Sequence, residues 1–427
     1  MTDSAATDTR RNWAGNINYQ AAEQYFPNSV DEVQELVRVQ PSIRALGSRH
    51  SFNAIADTPG VQLSLERLNP TVQIDPLHHT ATVAGGVRYG HLCAFLDEAG
   101  YALPNLASLP HISVAGAVAT ATHGSGEGNG CLSSSVAGLE MVTADGSLLT
   151  VQRDSTADFA GMVVALGALG LVTHVTLDLL PTFAVRQFVY ERLPFAQALA
   201  HFDAIIASGY SVSFFTDWRS DAINQLWLKQ RVTDQEAAEA APELFGARLA
   251  TGDRHPIGDL SPVNCTAQMG VAGPWYDRLP HFRMAFTPSS GQELQTEYLV
   301  PRRHALAALE AVNGLRSRIA PLLQISEIRL IAADDLWLSP FYQQDSVGIH
   351  FTWQPQWPAV QALLPDIEAA LLPFDARPHW GKLFTMPGAH VQSLYPKLAA
   401  FRALRDQYDP AGKFRNPFID TYLYDRA

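Results

Sequence analysis

PNLASLPHISVAGAVATATHGSGEGNG, residues 104–130, decides how the rest of the chain is read. Ser113 to Thr122 are almost all small, and glycines then alternate at 124, 126, 128 and 130. Small side chains let backbone approach a ligand closely, and glycine reaches loop angles closed to other residues. Successive exposed N–H groups in such a loop cradle phosphates. A flexible surface linker would be polar, not Val/Ala/Thr. Common phosphate motifs fail here. GxGxxG would need glycine where the chain has Asn129, and no apolar β run leads into Gly124. GxxxxGK[ST] fails because Leu383 follows Gly381-Lys382 and Phe414 follows Gly412-Lys413. A GxSxG nucleophile elbow is also missing. The residues therefore predict a phosphate-bearing cofactor held by a different architecture.

Two further segments supply the rest of such a site. Arg44 to Asn53 (RALGSRHSFN) runs off a short strand into a polar turn, whose N–H groups and the Ser48 and Ser51 hydroxyls suit a pyrophosphate. Gly167 to Val172 (GALGLV) is a tight apolar turn suited to an adenine or ribose. Around them, Ser29–Val39 reads as a helix with Ser29 and Glu32 in capping-box spacing. Strands are expected at Ile43–Leu46, Val61–Leu65, His79–Ala84 and Leu171–Leu180, a helix at Tyr89–Ala99, and a hairpin at Val136–Val151 turning at Asp145-Gly146. Beyond Pro181 the pattern predicts helices at Leu193–Ala207, Arg303–Ile319, Pro358–Leu371 and Lys397–Gln407. It also predicts strands at Ser211–Phe215, Leu294–Leu299, Ser326–Arg329 and Val347–Trp353. The mixture is an α+β pattern.

Composition narrows the function. The 427 residues are 47% hydrophobic and 17% charged, enough for a large core in two or three domains. A net charge of -12 without a basic stripe argues against nucleic acid and anionic membrane surfaces. Met1 to Trp13 has no apolar signal region, and no apolar run is long enough to span a bilayer. Three scattered cysteines, Cys93, Cys131 and Cys265, make no disulfide framework or CxxC metal site, which suits a cytoplasmic setting. Asn264-Cys265-Thr266 is a sequon expected to be idle without a secretion signal. His111, His123, His350 and His379 show no HxH or HxxxH pair, so no metal is expected.

Later segments carry charge into strands. In Ser326-Glu327-Ile328-Arg329, Glu327 and Arg329 share one strand face, as do His350 and Thr352 in His350-Phe351-Thr352-Trp353. By themselves these residues more often make a structural ion pair and a satisfied structural histidine. Taken with GSRHSFN, LGALGLVT, His379-Trp380-Gly381-Lys382, DPAGKF and the 104–130 run, in this order, they resemble the vanillyl-alcohol-oxidase family of FAD enzymes, the set being most similar to its alditol oxidases. The resemblance runs from Asn12 nearly to the C-terminus.

It implies an α+β fold with a two-subdomain FAD-binding domain at 1–180, an α+β substrate cap at 181–380, and a segment 381–427 returning to the first domain. It implies that FAD is held by Leu46, Gly47, Ser48, Arg49, His50, Ser51, Phe52, Ser108, Ser113, Val114, Ala115, Gly116, Thr120, His123, Gly124 and Val172. A His50 ring nitrogen would bond covalently to the flavin, and neutral imidazole is a fit nucleophile for that. Ser108, Glu327, Arg329, Thr352, His379 and Lys382 would bind substrate; Lys382, Arg329, Glu327 and His350 would serve catalysis, with His111 a weaker candidate. Two residues depart from the family. Glu127 stands where a small apolar residue is usual, and would meet the substrate, block the pocket or point outward. Arg49 replaces a small residue and would pair with a phosphate or with Glu127. The implied reaction takes a terminal CH₂OH of xylitol or sorbitol to the aldose, with oxygen reduced to hydrogen peroxide by a monomeric enzyme. An aldonolactone oxidase, a dehydrogenase of the same family and a non-catalytic FAD- or sugar-binding protein are the alternatives.

Overall fold

The computed structural model describes residues 10–232, 240–285 and 293–424. The polar leader before residue 10 lies outside the described residues.

The chain opens with β1 (Glu23–Tyr25), α1 (Val30–Val39), β2 (Ile43–Leu46) and β3 (Val61–Ser64). The three strands pair in parallel in the order β1-β3-β2. Helix α1 starts as its sequence predicts. Ser29 Oγ accepts from Glu32 N at 3.2 Å, while the Glu32 carboxylate accepts from Asn28 N, one residue before the usual partner. Its Val33 and Val37 are fully buried against Ile43 and Leu63. Next come β4 (Val72–Asp75), β5 (Thr80–Ala84), α2 (Tyr89–Glu98), α3 (Val114–Ala119), β6 (Val136–Val142), β7 (Leu148–Gln152) and β8 (Leu171–Asp178). These strands form an antiparallel sheet ordered β4-β5-β8-β6-β7, and the β6–β7 hairpin turns at Gly146 with φ +84.

Past Pro181 lies a larger antiparallel sheet. Its middle runs β9 (Ala184–Pro194), β11 (Ala222–Arg231), β10 (Ser211–Thr216), β13 (Leu323–Ile331), β14 (Ser346–Trp353) and β12 (Leu294–Pro301) in spatial order. Helices Ala305–Asn313 and Trp357–Leu371 lie along it in sequence. Tyr298 Oη donates to Glu368 on the second of these helices at 2.9 Å, and Trp353 Nε1 donates to Thr296 Oγ1 at 3.0 Å. The even-numbered residues of β12 therefore face the helices, and Gln295 and Glu297 face the other way. That second face is where the chemistry collects.

The C-terminal segment folds back on the first sheet. Lys413 O accepts from Ile43 N, and Asn416 Nδ2 donates to the carbonyls of Ala54, Ile55 and Asp57. Arg44 ties the junction, with its buried guanidinium donating to Ile55 O, Leu166 O, Gly167 O and Phe414 O. No helix among the described residues is long and apolar enough to cross a membrane.

Three local expectations need correction. Leu193–Ala207 is not one helix. Leu193 and Pro194 end strand β9, and two short helices follow at Phe195–Ala200 and Phe202–Ala207. Proline pushes the residue before it into extended geometry, so the helix cannot begin before Pro194. Arg303–Ile319 breaks into Ala305–Asn313 and Arg316–Ile319, with Gly314 capping the first. The small-residue run is not a loop throughout, because Val114–Ala119 is a short helix.

Candidate active site

One wall of the main cavity is built from short residues and backbone. Loop 47–52 leaves β2 and is laced to the start of α3. Ser48 Oγ accepts from Ser113 N at 3.0 Å, and Ser113 Oγ accepts from Ser48 N at 3.3 Å. The approach demands glycine at 47 and 85. A Cβ at Gly47 would sit 2.9 Å from Ser113 Oγ, and one at Gly85 would sit 2.7 Å from Val172 O. Leu46, Gly47, Ser48, Arg49, His50, Ser51 and Phe52 line this wall with Ser108, Ser113, Ala115, Gly116, Thr120, His123 and Val172. Arg49 takes the left-handed conformation, φ +64. His50 Nδ1 lies 3.0 Å from Ser48 Oγ, and Trp13 stacks on the ring with centroids 5.6 Å apart. Burial, with the nearby charges of His111 and Arg88, pushes the His50 pKa down to about 3, so the imidazole is neutral.

Two residues expected on this wall lie behind it. Val114 is fully buried in the core with Val118, one helical turn on. The helix, absent from the loop reading, turns them inward and leaves Ala115 and Gly116 on the cavity. Gly124 is backed by Leu106 O and Asn105 Oδ1, which stand where its Cβ would be.

The opposite wall is the face of β12, β14 and β13. Strand register aligns Glu297, His350 and Glu327 in one row and Gln295, Thr352 and Ile325 in the next. A third row places Gly348 beside Arg329, and a Cβ there would lie 3.0 Å from Glu297 Oε1. Arg329 crosses this space. Its Nη2 donates to Glu297 Oε1 at 2.8 Å, its Nη1 to Ser108 Oγ at 3.3 Å, and its Nε lies 3.6 Å from Glu327 Oε1. His281 Nε2 meets Glu327 Oε1 at 2.7 Å. Burial works to raise both carboxylates, but Arg329 with His281 outweighs it at Glu327, and Arg329 with His123 at Glu297. Both are held below the usual carboxylate range.

Lys382 enters from the turn after Arg377–Pro378. Asn53 Nδ2 donates to Trp380 O and Lys382 O, and Phe52 N donates to Gly381 O, so the turn is pinned to the His50 loop. Lys382 Nζ donates to Gln295 Oε1, and Gln295 Nε2 donates to Glu293. Burial pulls the Lys382 pKa down to about 8 against the pull of Glu297. His350 is also neutral, pushed down to about 3 by burial and by Lys382, and its buried Nδ1 has no hydrogen-bond partner among the described residues. His379 Nδ1 accepts from Gly381 N at 3.0 Å, and burial lowers its pKa strongly.

The structure thus brings Ser108, Glu327, Arg329, His350, Thr352, His379 and Lys382 into one cavity with the His50 loop. It does not bring Glu127 there. That carboxylate is turned outward and pairs with Arg302 at 2.8 Å, and Arg302 also holds Asp203. Nor does Arg49 pair with Glu127. His111 reaches Met284 O at 3.0 Å. Sequence reasoning missed Glu297, Gln295, Glu293, His281 and Lys229. The first three were signalled by polar residues at period two in Glu293-Leu294-Gln295-Thr296-Glu297, running into a predicted strand. Among the described residues, His123, Glu297 and His379 bring one ligand-type atom each within 4.8 Å of one another. Arg329 already supplies the cation at Glu297.

The donor set fits FAD. A small-residue wall faces a neutral histidine, and an unpartnered His350 nitrogen and a lysine line the same cavity. Comparisons agree on the class. An FAD-binding-domain model matches residues 23–152, and a D-arabinono-1,4-lactone oxidase model matches residues 287–422. A solved structure titled solvent-stable cholesterol oxidase superposes with TM-score 0.79 at 18% identity, covering 96% of each chain. That likeness establishes the α+β fold. Among curated relatives, an alditol oxidase of Streptomyces sp. is 49% identical over 96% of this chain and 98% of its own. An L-gulono-1,4-lactone dehydrogenase of Mycobacterium tuberculosis is 28% identical over 92% of this chain and 93% of its own. The chain belongs to the alditol oxidase family of FAD-dependent oxidoreductases.

Proposed function

We propose that the enzyme oxidises the terminal CH₂OH of a polyol such as xylitol or sorbitol to the aldose, with FAD tethered through His50 and oxygen leaving as hydrogen peroxide. The observation that carries this reading is the row Glu297–His350–Glu327, with Arg329 and Lys382, facing the His50 loop across one cavity. FAD, when bound, accepts hydride from the alcohol carbon and passes two electrons to oxygen. The chain's own residues do the rest. Glu327, held ionised, accepts hydrogen bonds from polyol hydroxyls, and Thr352 and Ser108 lie within the same walls. Arg329 and Lys382 present positive charge to an oxygen that is losing its proton, a stabilisation worth most in a dry site. His350 is neutral, and its Nδ1 has no partner among the described residues, so it can take that proton. The neutral His50 imidazole, steadied by Ser48 and Trp13, is the form that can bond to carbon.

The lactone-oxidase model over residues 287–422 favours one second reading, oxidation of a ring substrate by the same wall. A panel of xylitol, sorbitol, glycerol and aldonolactones, followed by peroxide release, separates the two. Polyol turnover is expected to dominate, and lactone turnover alone would overturn the proposal. Acid denaturation tests the tether, because yellow colour should stay with the polypeptide.

A further inference from the structure

Behind Glu327, away from the groups already given roles, lies a fully buried lysine that faces a fully buried histidine. Lys229 comes from β11 and is 1% exposed. Its Nζ contacts Leu279 O at 2.5 Å, Pro280 O at 3.0 Å and His281 Nδ1 at 3.2 Å. His281 passes the contact on, Nε2 to Glu327 Oε1 at 2.7 Å. Phe215 and Trp227 hold the imidazole edge-on, with centroids 5.5 and 5.2 Å away. His281 N donates to Ser108 O at 3.1 Å, so the same residue reaches a second member of the site.

The hydrogen count of this cluster is restrictive. Two carbonyls and one carboxylate oxygen must each accept, and the Nζ–Nδ1 contact needs one hydrogen between its atoms. Four N–H hydrogens are needed. Lysine and histidine supply that number only when the pair carries one positive charge, either as ammonium with neutral imidazole or as amine with imidazolium. One proton fewer leaves a buried acceptor unmet, and one more sets two N–H groups against each other. In both allowed forms Nε2 carries a hydrogen toward Glu327. Burial draws Lys229 down to about 7 and His281 down to about 4, so of the two the imidazole is the more readily neutral.

We propose that Lys229 is a positioning residue for the polyol site: with His281 it forms a buried dyad of one positive charge that fixes Glu327 Oε1 and leaves Oε2 for a substrate hydroxyl. The described polar contacts of Glu327 all fall on Oε1. Lys229 itself does not line the cavity, whereas His281 and Glu327 do. The inference rests on the reading of Glu327 as the polyol-binding carboxylate.

A double-mutant cycle on the flavin-loaded enzyme, with xylitol as the substrate, tests both layers separately. Lys229→Met should raise KM at least tenfold while kcat changes less than threefold. Lys229→Gln, whose amide can still donate to Nδ1, should recover much of that loss. In a Glu327→Gln background, Lys229→Met should add almost nothing, because residues acting through one another are not additive. If Glu327→Gln itself leaves KM unchanged, the polyol-site reading fails and takes the inference with it. If Glu327→Gln raises KM and the two changes multiply independently, the dyad alone is overturned. If Lys229→Met does not fold, the cycle is run with His281→Phe in its place, in wild type and in the Glu327→Gln background. Equal KM in wild type and His281→Phe would also overturn the proposal.

Discussion

The two walls of the cavity are made by different physics. The wall carrying His50 is backbone and small side chains, laced by Ser48–Ser113 and closed by glycines whose replacement would strike neighbouring atoms. The opposite wall is charge, with two carboxylates and a guanidinium buried beside neutral imidazoles, and a half-buried ammonium at its edge. A wall of backbone is specified by shape, and a single Cβ spoils it. A wall of buried charge is specified by balance, because each ion is tolerable only while its partner stays. Substitutions should therefore fail differently on the two sides.

The largest effect is expected at the centre of the charged wall. Arg329→Met leaves Glu297 and Glu327 buried without their shared cation, a loss of about 3–5 kcal/mol by analogy with broken buried pairs. Chemical denaturation should show that loss, and polyol turnover should vanish with it. A variant as stable as wild type would show that the carboxylates are balanced by something else. Lys382→Met should separate stability from rate. Its amino group faces Gln295, a neutral acceptor, so less depends on it for folding. Removing a cation aimed at developing oxyanion charge typically costs about 10²–10³ in rate. A drop of that order in kcat/KM with a small shift in Tm would set Lys382 apart from Arg329.

The same lysine gives a pH test. Its folded pKa, drawn down to about 8, lies below its ordinary value, so between the two the unfolded chain binds more protons. This group therefore makes folding more favourable as pH rises through that window, while the charged form that catalysis uses is lost. kcat/KM should fall as pH rises through about 8 without a matching fall in stability attributable to Lys382. A pH profile flat from 7 to 10 would remove the lysine from the rate-determining electrostatics.

On the backbone wall, Gly85→Ala puts a methyl 2.7 Å from Val172 O, which is backbone and cannot swing aside. Overpacking of this kind costs about 1–3 kcal/mol, and flavin retention should fall with it. Full flavin content at wild-type Tm would mean that this strand junction has slack.

The difference between the walls also explains what the sequence could and could not disclose. The His50 loop, the small-residue run and His379-Trp380-Gly381-Lys382 are contiguous, and their chemistry can be read within a few residues. Glu327 with Arg329, and His350 with Thr352, were legible because strand period two puts neighbours on one face. Glu297 and His350 become partners only through strand register, and Lys229 meets His281 across 52 residues. No local pattern encodes such a meeting. Val114 was misplaced for the opposite reason. Its surroundings were read as one extended loop, and a single helical turn puts its side chain in the core.

The smallest effect is predicted at Glu127, and it sharpens the contrast from outside. This residue is close in sequence to the cavity and chemically suited to a polyol, yet its carboxylate points to Arg302 on the surface. Its side chain is 46% exposed, so the pair is worth about 0–1 kcal/mol in solvent. Glu127→Gln should leave KM for xylitol within twofold of wild type and barely move Tm. The expected null carries information because Glu327→Gln, the same change on the buried wall, should raise KM strongly. A carboxylate acts here through the balance built around it, and Glu127 has no such surround. A large change in KM at Glu127 would mean that the outer loop closes over substrate, and that the charged wall extends further than the strand face.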